Sequence, residues 1–276
     1  MLITKTLNNG VEIPAAGMGF WQINNKDNIK EIISQSYSTG VSLMDTASAY
    51  GNEELIGSAI QELEIPRNDL FITTKLWNSN QGYDSTLKAF NHSLKKLKTD
   101  YLDLYLIHWP VKNKFVESWK AMEKLYEEGY VKSIGVCNFQ KHHLQTLLNV
   151  ASNKPAINQV EYHPYLVQTD LHNYCIENDI QLEAWSPLGQ GELLKDEILK
   201  GISEKYQRTA AQVILRWHLQ KGIIPIPKTS HKERVVENYQ IFDFNINEAD
   251  LILIDNLNRD LRFGPHPDSF QEFFGS

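Results

Sequence analysis

The sequence predicts an α/β chain closed into a (β/α)8 TIM barrel behind an N-terminal β-hairpin. Three observations carry this. Eight short apolar runs of strand character alternate with helical segments, the order that builds a parallel sheet through right-handed crossovers. The 276 residues suit eight such units in one domain spanning 1–276, with no Pro/Gly/Ser-rich linker to divide them. Polar or ionisable residues stand at the C-terminal ends of the second to eighth runs, where a barrel gathers its chemistry.

Taken in order, "ITKTLNNGVEIP" reads as two strands around Asn9-Gly10, a strong hairpin pair. "AAGMGF" is the first barrel strand, followed by a helix over 28–39. "VSLMD" precedes a helix over 53–62, "LFITTKL" one over 84–97, and "YLDLYLIH" one over 116–128. "VKSIGVCN" precedes a helix over 141–150 and "AINQVEY" one over 169–178. "IQLEAWS" is followed by helices over 196–206 and 209–221, and "IIPIPK" by one over 231–239. A doubly wound open sheet is the competing architecture.

Bulk properties narrow the function. The formal charge of -7 argues against a nucleic-acid surface, while leaving room for a local basic pocket. Cys137 and Cys175 are too few for a zinc spacing or a disulfide framework, so a reducing compartment is expected. The start "MLITKTLNNG" lacks the basic-then-apolar order of a signal peptide, and no apolar run approaches the roughly 20 residues that span a bilayer. A cytoplasmic monomer without membrane or nucleic-acid partners is expected. "GMGFWQ" holds two glycines of a dinucleotide fingerprint, but Gln22 takes the place of the third and no helix follows at once. Two glycines in a tight strand end explain it better.

The strand ends carry Asp45 with Tyr50 in the loop beyond, Lys75 then Trp77, His108 then Trp109, Asn138, Gln159, Trp185 with Ser186, and Lys228. Taken singly, each has a structural explanation: a turn cap, a solvated lysine, a satisfied histidine, a rim aromatic. Together they suggest a proton-transfer site. A phenol with a pKa near ~10 is a poor acid at neutrality. An adjacent ammonium favours phenolate and lowers that pKa, and a buried ammonium in turn needs a carboxylate. Lys75 and Asp45 suit those parts, Tyr50 becomes the general acid, and His108 orients a substrate oxygen. Such a set protonates an oxygen on which negative charge develops, as when hydride adds to a carbonyl. No His-x-His or HExxH pattern supports a metal and no Gly-x-Ser-x-Gly elbow supports hydrolysis, so no metal is expected. His142 and His143 are read as solvent-facing.

At this point "DTASAYGNEELIG", "ITTKLW", "YLDLYLIHWP", "GYVKSIGVCNF", "INQVEYHPYL", "AWSPLGQG" and "IPIPKTSHKERVVEN" resemble the aldo-keto reductases, in that family's order and over nearly the whole chain. The likeness is strongest to the bacterial branch that reduces glyoxals, small aldehydes and diketogluconate-like sugars. It implies an NADPH-dependent oxidoreductase built on a barrel without a Rossmann domain, with Tyr50 as proton donor. It implies that Asn138 and Gln159 hold the nicotinamide carboxamide, that Trp185 stacks on the ring, and that Ser186 and Leu188 add cofactor contacts. Lys228, Thr229, Ser230 and Arg234 would grip the 2'-phosphate and pyrophosphate, and Glu237 and Asn238 the adenine; cations and hydroxyls beside a helix start suit a phosphate. Cys137 stands where the family commonly has serine. Short segments after Trp109 and Arg259 suggest an open pocket lined by Phe20, Trp21, Trp77 and Trp109, suited to small carbonyl compounds. The alternative is an NADPH-binding sensor barrel with little turnover, against which the complete Asp/Tyr/Lys/His set argues.

Overall fold

A computed structural model describes residues 3–271. The hairpin pairs β1 (Thr4–Thr6) with β2 (Glu12–Pro14) in antiparallel register. Its loop closes one end of the barrel: the Asn9 amide donates to Lys132 O, and the Asn8 amide to Pro155 O and Asp179 O.

The chain then alternates as the sequence predicts. β3 (Gly17–Gly19) leads to α1 (Lys26–Thr39), whose first turn is capped by the Asn25 side chain accepting from Asn28 N–H. β4 (Leu43–Asp45) leads to α2 (Glu53–Glu62), β5 (Phe71–Leu76) to α3 (Tyr83–Leu97), and β6 (Leu102–Ile107) to α4 (Phe115–Glu127). β7 (Val131–Cys137) leads to α5 (Lys141–Leu148), β8 (Ile157–Glu161) to α6 (Thr169–Glu177), and β9 (Gln181–Trp185) to α7 (Glu197–Tyr206) and α8 (Ala210–Gln220). Thr209 and Gln212 form a reciprocal cap at the start of α8. β10 (Ile224–Pro225) leads to α9 (Lys232–Tyr239). The eight strands β3 to β10 pair in parallel in chain order, and a bridge between Gly19 and Lys228 joins the two ends.

One helix is absent from the sequence reading: α10 (Glu248–Asp255). Its apolar residues Leu251 to Ile254 run consecutively rather than at helical spacing, and only Ile254 among them is buried. The period-based signal is therefore missing, and the Asn247 cap is what marks the start.

Strand parity divides the core in two. Alternate residues such as Tyr105 and Ile107 on β6 pack outward against the helices, while Leu104 and Leu106 point into the lumen with Leu43, Phe71, Ile157, Ile224 and the hairpin's Leu7 and Ile13. The same parity sends Asp45, Lys75, Cys137, Gln159, Glu183 and Trp185 toward the barrel axis at and below the C-terminal mouth.

Candidate active site

Asp45 closes β4, and the chain turns at once into a 3-10 helix, Ser48–Tyr50, ended by Gly51 at φ 71°. Asn52 holds this loop in place. It accepts from the Thr46 hydroxyl at 2.7 Å and donates to the carbonyls of Phe20 and Ile23 at 2.8 and 3.0 Å. Tyr50 is thereby presented over the end of β5. There Lys75, with no exposed surface, donates from Nζ to Asp45 Oδ1 at 2.5 Å and to Thr46 O at 2.9 Å, and reaches the Tyr50 hydroxyl at 3.5 Å. The His108 ring meets Tyr50 edge-on with centroids 5.7 Å apart, and Trp77 at 5.2 Å. The four side chains predicted to act together do converge at one mouth of the barrel.

Their electrostatics differ from the sequence reading in one respect. Burial pushes the Tyr50 phenol up to about 12, and the opposing pull of the Lys75 charge does not outweigh it. The expected net lowering is not found, because the loop that brings Tyr50 to Lys75 also withdraws it from water. Burial disfavours the Lys75 ammonium too, but its acidic neighbours, the Asp45 carboxylate first among them, more than offset this, and its pKa lies above the ordinary lysine value. Burial and the Lys75 charge hold His108 well below its usual range, so it is a neutral imidazole. The result at neutral pH is a protonated phenol on a charged amine, beside a neutral ring.

A cavity of about 680 Å3 opens above this set. Its wall includes Asp45, Tyr50, Trp77, His108, Trp109, Asn138, Gln159, Trp185, Ser186 and Lys228. Asn138 and Ser186 adopt left-handed backbone at φ 63° and 48°, which turns each strand end sharply into its loop. The Asn138 amide donates to His108 O at 3.0 Å and accepts from the Trp185 indole N–H at 2.8 Å. The Cys137 thiol donates to Gln159 Oε1 at 3.6 Å, a weak bond through sulfur.

The remaining predicted cofactor residues lie along the path from Lys228 into α9. Thr229 is buried and its hydroxyl accepts the His231 N–H at 3.1 Å. Ser230 and Arg234 are exposed, and among the described residues no ion pair occupies Arg234. The first turn of α9 has no side-chain cap; the Arg234 N–H donates to His231 O at 3.1 Å, which leaves the Lys232 and Glu233 amides available to an anion. Glu237 Oε1 accepts from the Thr209 hydroxyl at 2.7 Å. Asn238 lines a separate small cavity with Ala16, Gly17 and Tyr239. Leu188 packs into the core and is not part of the main cavity wall.

On the substrate side, Trp21, Trp77 and Trp109 line the cavity, whereas Phe20 does not. Phe20 is fully buried in the outer core, so its assignment to the pocket is corrected; Trp21, its neighbour, is 45% exposed at the rim. The C-terminal segment is brief but still forms a wall. Phe263, Gly264 and Pro265 line the cavity, and Phe270 stacks on Trp109 with centroids 5.1 Å apart. Glu161, buried at the end of β8, accepts the Phe263 N–H at 2.6 Å and anchors this segment. Asp268 ties it to α5 through His142 Nε2 at 3.2 Å and His143 Nε2 at 3.5 Å. His143 Nδ1 accepts the Gln140 N–H, which leaves its proton on Nε2 to face Asp268. His143 is therefore half-buried under the tail and not solvent-facing as expected, while His142 is exposed. Sequence reasoning did not find the tail residues, since their position depends on contacts about a hundred residues away in the chain. It also passed over Glu183, although a carboxyl in the middle of a central strand is itself a signal.

The Aldo/keto reductase family matches residues 15–259. The chain is 51% identical over 265 residues to the glyoxal reductase of Bacillus subtilis (strain 168), covering 96% of each protein. It is 43% identical over 268 residues to the methylglyoxal reductase DkgA of Escherichia coli (strain K12), again covering 96% of each. A crystal structure of a Gox0644 variant in complex with NADPH superimposes with a TM-score of 0.92 at 39% identity, covering 98% of each chain. The chain thus belongs to the aldo/keto reductase family.

Proposed function

We propose that the protein is an NADPH-dependent reductase of small aldehydes and ketoaldehydes, glyoxal and methylglyoxal among them, with diketogluconate-like sugars in the same range, and that Tyr50 supplies the proton. The observation that carries this reading is the Lys75 ammonium held between Asp45 and the Tyr50 hydroxyl, at 2.5 and 3.5 Å, beneath an aromatic-walled cavity that Asp45 and Tyr50 line. Bound NADPH supplies the hydride.

The residues fit such a cofactor. One cavity runs from the amides of Asn138 and Gln159 past the Trp185 indole to Lys228. Beyond Lys228 lie the uncapped start of α9 and the exposed guanidinium of Arg234, suited to the 2'-phosphate and pyrophosphate. Thr229 and Ser230 stand beside them, and Glu237 and Asn238 follow on the next turn as the residues we assign to the adenine.

The chain's own groups do the rest. The carbonyl oxygen of a small substrate sits between Tyr50 and His108. His108, neutral, donates a hydrogen bond that orients it. As negative charge grows on that oxygen, the Tyr50 hydroxyl transfers its proton, and the phenolate left behind is stabilised by Lys75. Asp45 keeps Lys75 charged inside the protein. Trp21, Trp77 and Trp109, with the tail, exclude water from the reacting oxygen. The names of the relatives from Bacillus subtilis and Escherichia coli support glyoxal and methylglyoxal as substrates.

The test is the loss of 340 nm absorbance with NADPH and methylglyoxal. Tyr50→Phe should abolish turnover and preserve NADPH binding. Near-normal rates in that variant refute the proton assignment, and a wild-type chain that binds NADPH without consuming it is a sensor.

A further inference from the structure

Below the mouth lies a buried carboxyl that the chemistry above does not use. Glu183 has no exposed surface. It stands in register with Gln159 on the neighbouring strand, and Gln159 in turn with Cys137. The amide nitrogen of Gln159 donates to two carboxyls at once, Asp45 Oδ2 and Glu183 Oε2, each at 2.8 Å. Both N–H groups of that amide are thus committed to buried carboxyls. Among the described residues its oxygen receives only the weak thiol donor of Cys137.

A carboxyl in a barrel lumen is costly unless something requires it. An amide can face either way, since its oxygen and nitrogen ends have nearly the same shape. Two acceptors on one side remove that ambiguity. Without Glu183, the second N–H of Gln159 loses its buried acceptor, and on that side Asp45 alone holds the amide against turning over. We propose that Glu183 is a positioning residue for the cofactor: with Asp45 it takes both N–H groups of Gln159, so that the amide oxygen faces the N–H of the nicotinamide carboxamide. This rests on the reading above that the cavity holds NADPH. Burial and the neighbouring Asp45 charge push the Glu183 carboxyl up to about 8, so at neutral pH it adds little charge beneath the site. Its role is then directional rather than electrostatic.

The 3-acetylpyridine analogue of NADPH, which has a methyl group in place of the amide NH2, tests this. Dissociation constants for both cofactors are measured by fluorescence titration. The wild-type chain should prefer NADPH by roughly three- to tenfold, the worth of one hydrogen bond. Glu183→Leu should bring that preference below about twofold, because the oxygen of Gln159 is no longer held toward the carboxamide. Glu183→Gln should restore it, since a neutral amide oxygen can accept the same N–H. If Glu183→Leu does not fold, Glu183→Thr, too short to reach Gln159, takes its place. A wild-type preference retained in Glu183→Leu or Glu183→Thr overturns the proposal, as does a wild-type chain that turns over NADPH with no preference. A wild-type chain that neither binds nor oxidises NADPH overturns the functional reading instead.

Discussion

Replacing Lys75 by methionine separates the structural from the chemical part of the site. The Nζ atom contacts Asp45 at 2.5 Å, Thr46 O at 2.9 Å and the Tyr50 hydroxyl at 3.5 Å, and both charged side chains are buried. Its loss strands the Asp45 carboxylate, a penalty of about 3–5 kcal/mol for a broken buried pair. It also removes a positive charge 3.5 Å from the phenol oxygen, worth about 5 kcal/mol at an effective dielectric of 20, or roughly 3 to 4 pKa units. A phenol already pushed up to about 12 then becomes a still weaker acid, and kcat should fall by roughly 10²–10⁴. The double variant Lys75→Met/Asp45→Asn removes both charges. It should recover most of the stability in urea melts and none of the turnover with NADPH and methylglyoxal. A double variant with kcat within about tenfold of wild type would refute the claim that the ammonium stabilises the developing phenolate.

Three other outcomes are expected. Arg234→Ala should weaken NADPH at least about tenfold while leaving NADH nearly unchanged, because a charge-assisted contact to the 2'-phosphate is lost; equal losses for both cofactors argue against that contact. Asp268→Asn should raise KM for carbonyl substrates several-fold by loosening the wall that Phe263 and Phe270 form, yet change stability by less than about 1 kcal/mol, since its histidine contacts are partly exposed; an unchanged KM would show that the latch does not shape the pocket. Buried His218 is pushed down to about 4 by desolvation, with the carbonyls of Tyr162 and Ile214 opposing. Between pH 6.5 and 4 the unfolded chain therefore binds the proton that the folded chain refuses. Stability should be full above about pH 6.5 and decline toward pH 4, by an amount on the order of 3 kcal/mol from this group. Thermal melts across that range should show a shallower decline for His218→Asn, and an identical decline would exclude the histidine as its cause.

The sequence by itself determined the alternation of elements and the residues at the strand ends. Both are local properties: a short apolar run marks a buried strand, a helical period marks a helix, and in a parallel barrel every strand must end at the same mouth. Asp45, Lys75, His108, Asn138 and Gln159 could therefore be placed at one site without coordinates, and Tyr50 with them as a loop residue just past a strand. Where the period failed, as in the consecutive apolar residues of α10, the element was missed. The tertiary structure decided everything that depends on burial or on distant chain contacts. Phe20 and Trp21 are adjacent and equally aromatic, yet one is core and the other rim, because both lie past the end of β3 where the turn of the chain sets which way each faces. The sign of the Tyr50 shift depends on how much water the fold removes, against how near it brings Lys75, and neither quantity is written in the local sequence. The tail over the pocket and the carboxyl under Gln159 likewise exist as parts of the site only once strands far apart in the chain are set side by side.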